Sequence, residues 1–141
     1  MKKYLYLSLM LLALSACSHH KHNKDCCDCG MHKKTAMVHF AFDSAELSSV
    51  DKGVLDKVAA EIQKCPKAKI EITGYTDSVG TVAYNEKLGA ERAMAVQSYL
   101  AEKGVMPHKM CMGSDGKKDP IASNDTDAGR AKNRRARIKF K

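Results

Sequence analysis

Between Met37 and Asp43, apolar Val38, Phe40 and Phe42 alternate with His39, Ala41 and Asp43, the period of two that lays one face of a strand on a core. The period then changes. Val50, Val54, Leu55, Val58 and Ile62 recur at helical spacing, and Ser48 followed by Asp51 makes a capping box with Asp in place of Glu. This helix stops before Pro66, whose ring disfavours helical geometry at Cys65. Alternation returns from Lys69 to Thr73, with Ile70 and Ile72 on one face, and the strand is expected to turn at Gly74 with Asp77 just beyond its end. A second helix is predicted from Tyr84 to Lys103, turning Leu88, Ala93, Val96 and Leu100 inward, with Gly104 placed for a left-handed cap. Gly89 inside it costs about 1 kcal/mol relative to alanine, which close backbone packing would explain. Lys109 to Met112 reads as a short strand and residues 113–129 as loop. Ala136, Ile138 and Phe140 alternate in a last strand. The expected fold is α+β, a two-layer β-α-β-α-β-β arrangement with helices packed on one mixed sheet.

The first sixteen residues stand apart from this core. Lys2 and Lys3 precede an apolar run from Tyr4 to Leu14, the form of a secretory signal and too short for a membrane span of about 20 residues. Leu14-Ser15-Ala16-Cys17 resembles a bacterial lipobox, which implies cleavage before Cys17 and lipid on its thiol. Ser18, where an aspartate would suggest inner-membrane retention, points to the outer membrane. The expected organisation is a signal at 1–16, a lipidated tether at 17–36 and a folded domain at 37–141.

The tether lacks apolar periodicity but is rich in metal-type ligands: His19, His20, His22, Cys26, Cys27, Cys29 and His32. Their spacing matches no closed zinc site. Disulfide formation in an oxidising compartment, or a plain polar linker, is the simpler reading, and three tether thiols leave one over. A metal-binding tether for which the domain serves merely as a dock is the alternative function.

Composition adds exclusions. The formal net charge of +8 is not patterned like a nucleic-acid binder, and export excludes most such roles; the excess suits anionic envelope polymers. No Ser-His-Asp motif, H-E-x-x-H or Walker loop is present, and Asp77 with Glu86 or Glu91 makes a poor glycosidase pair, so no enzyme and no cofactor is expected.

Four stretches in one order carry a resemblance: FAFDSAEL at 40–47, TGYTDSVGTVAYNEKLGAERA at 73–93, YLAEKGV at 99–105 and GRAKNRRARIKF at 129–140. Over residues 38–141 the chain is similar to the OmpA-like peptidoglycan-binding domain family. That resemblance implies a noncatalytic domain gripping the meso-diaminopimelate of the wall's stem peptide, and partners in the trans-envelope Tol system. It puts the family's ligand-binding acid on Asp77 and its ligand-binding base on Arg92, with Asp43, Ser44, Asn85, Leu88 and Arg134 as further contacts. A carboxylate suits an ammonium, and a guanidinium forks onto a carboxylate. Taken singly, Asp77 would more simply close an Asx-turn and Arg92 would be solvated. The fold is expected to survive loss of either one.

Tyr75 and Gly89 depart from the family pattern, which has His or Asn and then Ser at those places, and Gly89 would loosen the helix that positions Arg92. Arg134, Arg135 and Arg137 are expected to be split between faces by strand alternation, with Arg135 and Arg137 solvated. Cys65 and Cys111 are a possible disulfide pair, the alternative being two buried thiols.

Overall fold

A computed structural model describes residues 34–141. The expected signal, the lipidation candidate Cys17, and the metal candidates His19, His20, His22, Cys26, Cys27, Cys29 and His32 lie outside the described residues.

The elements are β1 (Thr35–His39), α1 (Ser49–Lys64), β2 (Ile70–Tyr75), α2 (Val82–Glu102), β3 (Met110–Gly116), α3 (Asp127–Asn133) and β4 (Arg135–Phe140), with a 3₁₀ turn at Pro107–Lys109. The sheet order is β1-β4-β2-β3. Strands β2 and β3 are parallel, while β4 runs antiparallel to both β1 and β2. A parallel pair needs a long crossover, and α2 supplies it. The fold is the expected α+β arrangement of helices on one mixed sheet.

Local chemistry accounts for the helix ends. The Ser48 hydroxyl accepts from Asp51 N, as the capping box predicts, while the Asp51 carboxylate takes the Ser48 hydroxyl on one oxygen and His39 N at 3.0 Å on the other. One aspartate thus fixes the start of α1 against β1. At the other end Cys65 is the extended cap before Pro66. Helix α2 is capped by Thr81, whose hydroxyl accepts from Tyr84 N, and it ends before Gly104 at φ +89°, where glycine is favoured.

The core lies between sheet and helices. Val38, Phe40, Ile70, Ile72, Ala136, Ile138 and Phe140 meet Leu55, Val58, Ala59 and Ile62 of α1 and Ala93, Val96 and Leu100 of α2. Each large aliphatic side chain buried there contributes about 1.5–3 kcal/mol.

Several expected boundaries move, for identifiable reasons. β1 starts at Thr35 and ends at His39, so Phe42 is 63% exposed rather than in a strand; Asp43, at φ +53°, turns the chain away just after it. Val50 is 76% exposed because the buried row of α1 is Leu55, Val58, Ala59 and Ile62. At 3.6 residues per turn Val50 lies about 130° from the centre of that row. The 113–129 segment is not all loop: β3 runs on to Gly116, and Asp127 begins α3, capped by Thr126.

Gly74 does not end β2. The strand continues to Tyr75, and Gly74 faces Gly89 of α2 so closely that a Cβ built at Gly74 would overlap the Gly89 carbonyl. A Cβ at Gly89 would in turn strike Ser114 Oγ and lie 2.9 Å from Gly74 O. Gly89 therefore seats α2 on the sheet; it does not loosen it. Ser114 Oγ completes the joint by donating to Glu86 O at 2.8 Å. We expect Gly74→Ala to lower unfolding free energy by about 2–3 kcal/mol, since overpacking has no flexible neighbour to displace. Gly89→Ala should also destabilise, its gain of about 1 kcal/mol in helix propensity being smaller than the clash. Urea unfolding midpoints equal to wild type in both variants would remove this account of the joint.

Candidate functional site

Beyond Tyr75 the chain turns through residues 76–81 into α2, and the turn is tied from within. Asp77 Oδ1 accepts Val79 N at 3.1 Å, the Asx-type closure expected of an aspartate here. Asn85, one turn into the helix, reaches back: its Nδ2 donates to Val79 O at 2.8 Å and to Thr81 O at 2.9 Å. The second carboxylate oxygen of Asp77 faces Arg134 Nη1 at 3.2 Å, both side chains being largely shielded from solvent. Arg134 Nε donates to Phe40 O at 3.1 Å, which fixes the base as the turn fixes the acid.

Tyr84, Leu88 and Arg92 follow at i, i+4 and i+8 on one face of α2. Arg92 is fully buried. Its Nε donates to Ser44 O at 2.9 Å, Nη1 to Tyr75 O at 2.8 Å and Nη2 to Ala41 O at 3.2 Å, and the guanidinium lies 5.2 Å from the centre of the Phe40 ring. Three bonds leave two of its five N–H donors unassigned, one on each terminal nitrogen. Burial pulls its pKa down to about 10, with Asp77 opposing that shift and Arg134 adding to it, so the group stays cationic at neutral pH. Asp43, held in the left-handed region, accepts the Tyr84 hydroxyl on its carboxylate.

These groups converge on a cleft of about 190 Å³ lined by Phe42, Asp43, Asp77, Tyr84, Leu88 and Arg92, with Arg134 and Asn85 also in its wall. Of the residues singled out in the sequence, Asp77, Arg92, Asp43, Asn85, Leu88 and Arg134 meet there. Ser44 does not line the cleft and instead offers its carbonyl to Arg92. Phe42, Thr76, Val79, Gly80 and Tyr84 are wall residues that pattern reading missed. For Tyr84 a signal was available, the i, i+4, i+8 row that ends at Arg92.

The other arginines of the last stretch depart from expectation. Arg135 is 1% exposed, and with Arg137 it covers the Tyr75 ring, at 3.9 and 5.2 Å from ring centre to guanidinium carbon. Two residues apart on β4, they share a face while Arg134 turns to the cleft, so the three are divided as alternation expects; what departs is the solvation expected of Arg135. Cys65 and Cys111 are both disulfide-bonded. Among the described residues no cluster of His, Cys, Asp and Glu could hold a metal ion.

The burial of Arg92 argues against the expectation that the fold would tolerate its loss. We expect Arg92→Leu to leave three carbonyls without their donor and to cost about 3–5 kcal/mol of stability, read as a large fall in the urea midpoint. A midpoint within experimental error of wild type would mean that the three bonds contribute little.

Comparison with known proteins identifies the family. Residues 39–134 match the OmpA family. Outer membrane protein A of Bordetella avium is 43% identical over 101 residues, covering 72% of this chain and 52% of that protein. The peptidoglycan-associated lipoprotein of Haemophilus influenzae is 39% identical over 103 residues, covering 73% and 67% respectively. The chain thus spans about half the length of the first of these relatives and two thirds of the second. Among solved structures, the crystal structure of the peptidoglycan-associated lipoprotein from Burkholderia pseudomallei superposes with a TM-score of 0.72 at 36% identity, covering 74% of this chain and 89% of that one. With a family match across most of its described residues and relatives similar throughout that span, the chain belongs to the OmpA family.

Proposed function

We propose that this chain is an outer-membrane lipoprotein that binds peptidoglycan noncovalently through the diaminopimelate of the stem peptide, holding membrane to wall. One observation carries the reading: two carboxylates, Asp43 and Asp77, and two guanidiniums, Arg92 and Arg134, line a single cleft with apolar walls. The charges sum to zero, which suits a zwitterion better than an ion of either sign. The free end of diaminopimelate carries an ammonium and a carboxylate on one carbon, at the tip of an aliphatic chain. The aspartates take the ammonium. The unassigned N–H groups of Arg92, together with Arg134, take the carboxylate, while Phe42, Val79 and Leu88 take the methylenes.

The activity is binding, not turnover. Names of relatives support this reading, since two of the proteins compared above are called peptidoglycan-associated lipoproteins. On this reading Cys17 carries the lipid, residues 17–36 span from the outer membrane, the domain faces the periplasm, and proteins of the Tol system are its protein partners. Neither nucleic acid nor a cofactor has a role.

In a pull-down on purified diaminopimelate-type peptidoglycan, wild type with Cys17 replaced should sediment. Asp77→Asn keeps an acceptor for Val79 N but removes the charge, and affinity should fall at least about thirtyfold, the low end of losing one partner of a desolvated charge pair. Retained affinity in this folded variant would remove Asp77 from the site. For the anchor, a palmitate analogue fed to cells should label the protein, and Cys17→Ala should abolish the label. Equal labelling of both proteins would place any lipid elsewhere.

A further inference from the structure

Asp77 and Arg134 lie 57 positions apart in the chain, and their 3.2 Å contact needs something to set it. The network behind them runs through one side chain outside the cleft. Ser78 N, the amide next to Asp77, donates to Asn124 Oδ1 at 3.2 Å. The same oxygen accepts Asn133 Nδ2 at 2.9 Å, and Asn133 immediately precedes Arg134. Asn124 is thereby joined to the acid's neighbour on one side and to the base's neighbour on the other.

Both ends of this bridge are stiff. Asn133 is fully buried at the end of α3, and its amide is otherwise committed: Oδ1 accepts Ile121 N at 2.8 Å and Ala122 N at 3.0 Å, and Nδ2 donates to Ala122 O at 2.8 Å. The Asn124 backbone is held as well, its carbonyl accepting Arg130 Nη1 at 2.6 Å. On the Asp77 side, the Ser78 amide lies between the aspartate and Val79 N, the donor to Asp77 Oδ1. A shift of Asn124 would carry the turn, and the carboxylate with it, relative to Arg134.

We propose that Asn124 is a positioning residue that sets the spacing of Asp77 and Arg134, and through it the affinity of the cleft for its zwitterionic ligand. The proposal rests on the wall-binding reading above, but its signature differs from that of a residue that only stabilises a loop. What the bridge uses is an acceptor, so Asn124→Asp preserves it and Asn124→Ala removes it.

The experiment compares wild type, Asp77→Asn, Asn124→Ala and Asn124→Asp for peptidoglycan affinity by sedimentation, urea midpoint, and hydrogen exchange at the Ser78 and Val79 amides. Asn124→Ala is expected to weaken binding about tenfold and to speed exchange at both amides while remaining cooperatively folded. Asn124→Asp should restore binding to within about threefold of wild type, in line with a retained acceptor. If Asn124→Ala binds like wild type while Asp77→Asn does not, the cleft stands and the positioning role falls. If both Asn124 variants lose binding equally and the aspartate rescues nothing, the acceptor is not what matters and the proposal is overturned. If wild type itself stays in solution, the wall-binding reading and the role built on it fall together.

Discussion

A single buried cation organises this domain. Arg92 projects from α2 into a space bounded by the connection after β1 and the end of β2, and its three hydrogen bonds go to carbonyls of Ala41, Ser44 and Tyr75. The carbonyls of Ala41 and Ser44 lie outside every strand and helix, and that of Tyr75 sits at the very end of β2, so the guanidinium supplies donors where secondary structure runs out. Burying a charge is unfavourable by several kcal/mol unless it is paired and hydrogen-bonded throughout. Here the compensation comes from three carbonyls, the face of Phe40 and the nearby Asp77. The cleft is consequently not an addition to a finished fold. The side chain that closes the loops over the sheet also lines the cavity.

The outer face of the sheet solves a different problem with the same residue type. Tyr75 points away from the helix layer, yet it is fully buried, because Arg135 and Arg137 lie over its ring. Arg135 is held there by bonds to Asn133 O at 3.3 Å and Asp119 O at 2.9 Å. Burial lowers the Arg135 pKa and raises that of Tyr75, the response expected of groups taken out of water. Arginine can do this because its planar, weakly hydrated head stacks on an aromatic face. The bond to Asp119 also ties the loop after β3, the segment that reaches Asn124.

This explains which parts of the molecule were legible in the sequence. Helix α1, β2, α2 and β4 announce themselves by period, since each buries a regular apolar row against the core. The turn carrying Asp77 and the helix carrying Arg92 were legible as a motif, down to the Asx closure. Helix α3 was not: Asp127, Arg130 and Lys132 leave it no apolar stripe, and its place is fixed by a Thr126 cap and by Gly129 packing tightly on Ser123 O. The arginines of β4 were misread because a charged strand residue is ordinarily solvated, and the aromatic that hides them sits in another strand. The contacts that finish the cleft join residues distant in the chain, Tyr84 with Asp43 and Asn124 with Ser78. No periodicity reports such pairs. They follow only from the sheet order that sets β4 between β1 and β2.

The pairing inside the cleft bears on what kind of ligand it can select. Asp77 already faces Arg134 and Asp43 already holds Tyr84, so an incoming ammonium and carboxylate share or replace existing partners. The net electrostatic gain is then a difference between two paired arrangements, which favours specificity over raw affinity. A purely cationic ligand would compete with Arg134 for Asp77 and leave that guanidinium short of a partner. A purely anionic one would do the reverse. Only a molecule bearing both charges, at a spacing that the rigid Asp77–Arg134 pair dictates, re-pairs every group at once. On the proposed wall-binding reading this is a workable compromise. Each contact stays reversible while many copies act together, and the strength of the whole comes from number and tethering more than from any single cleft.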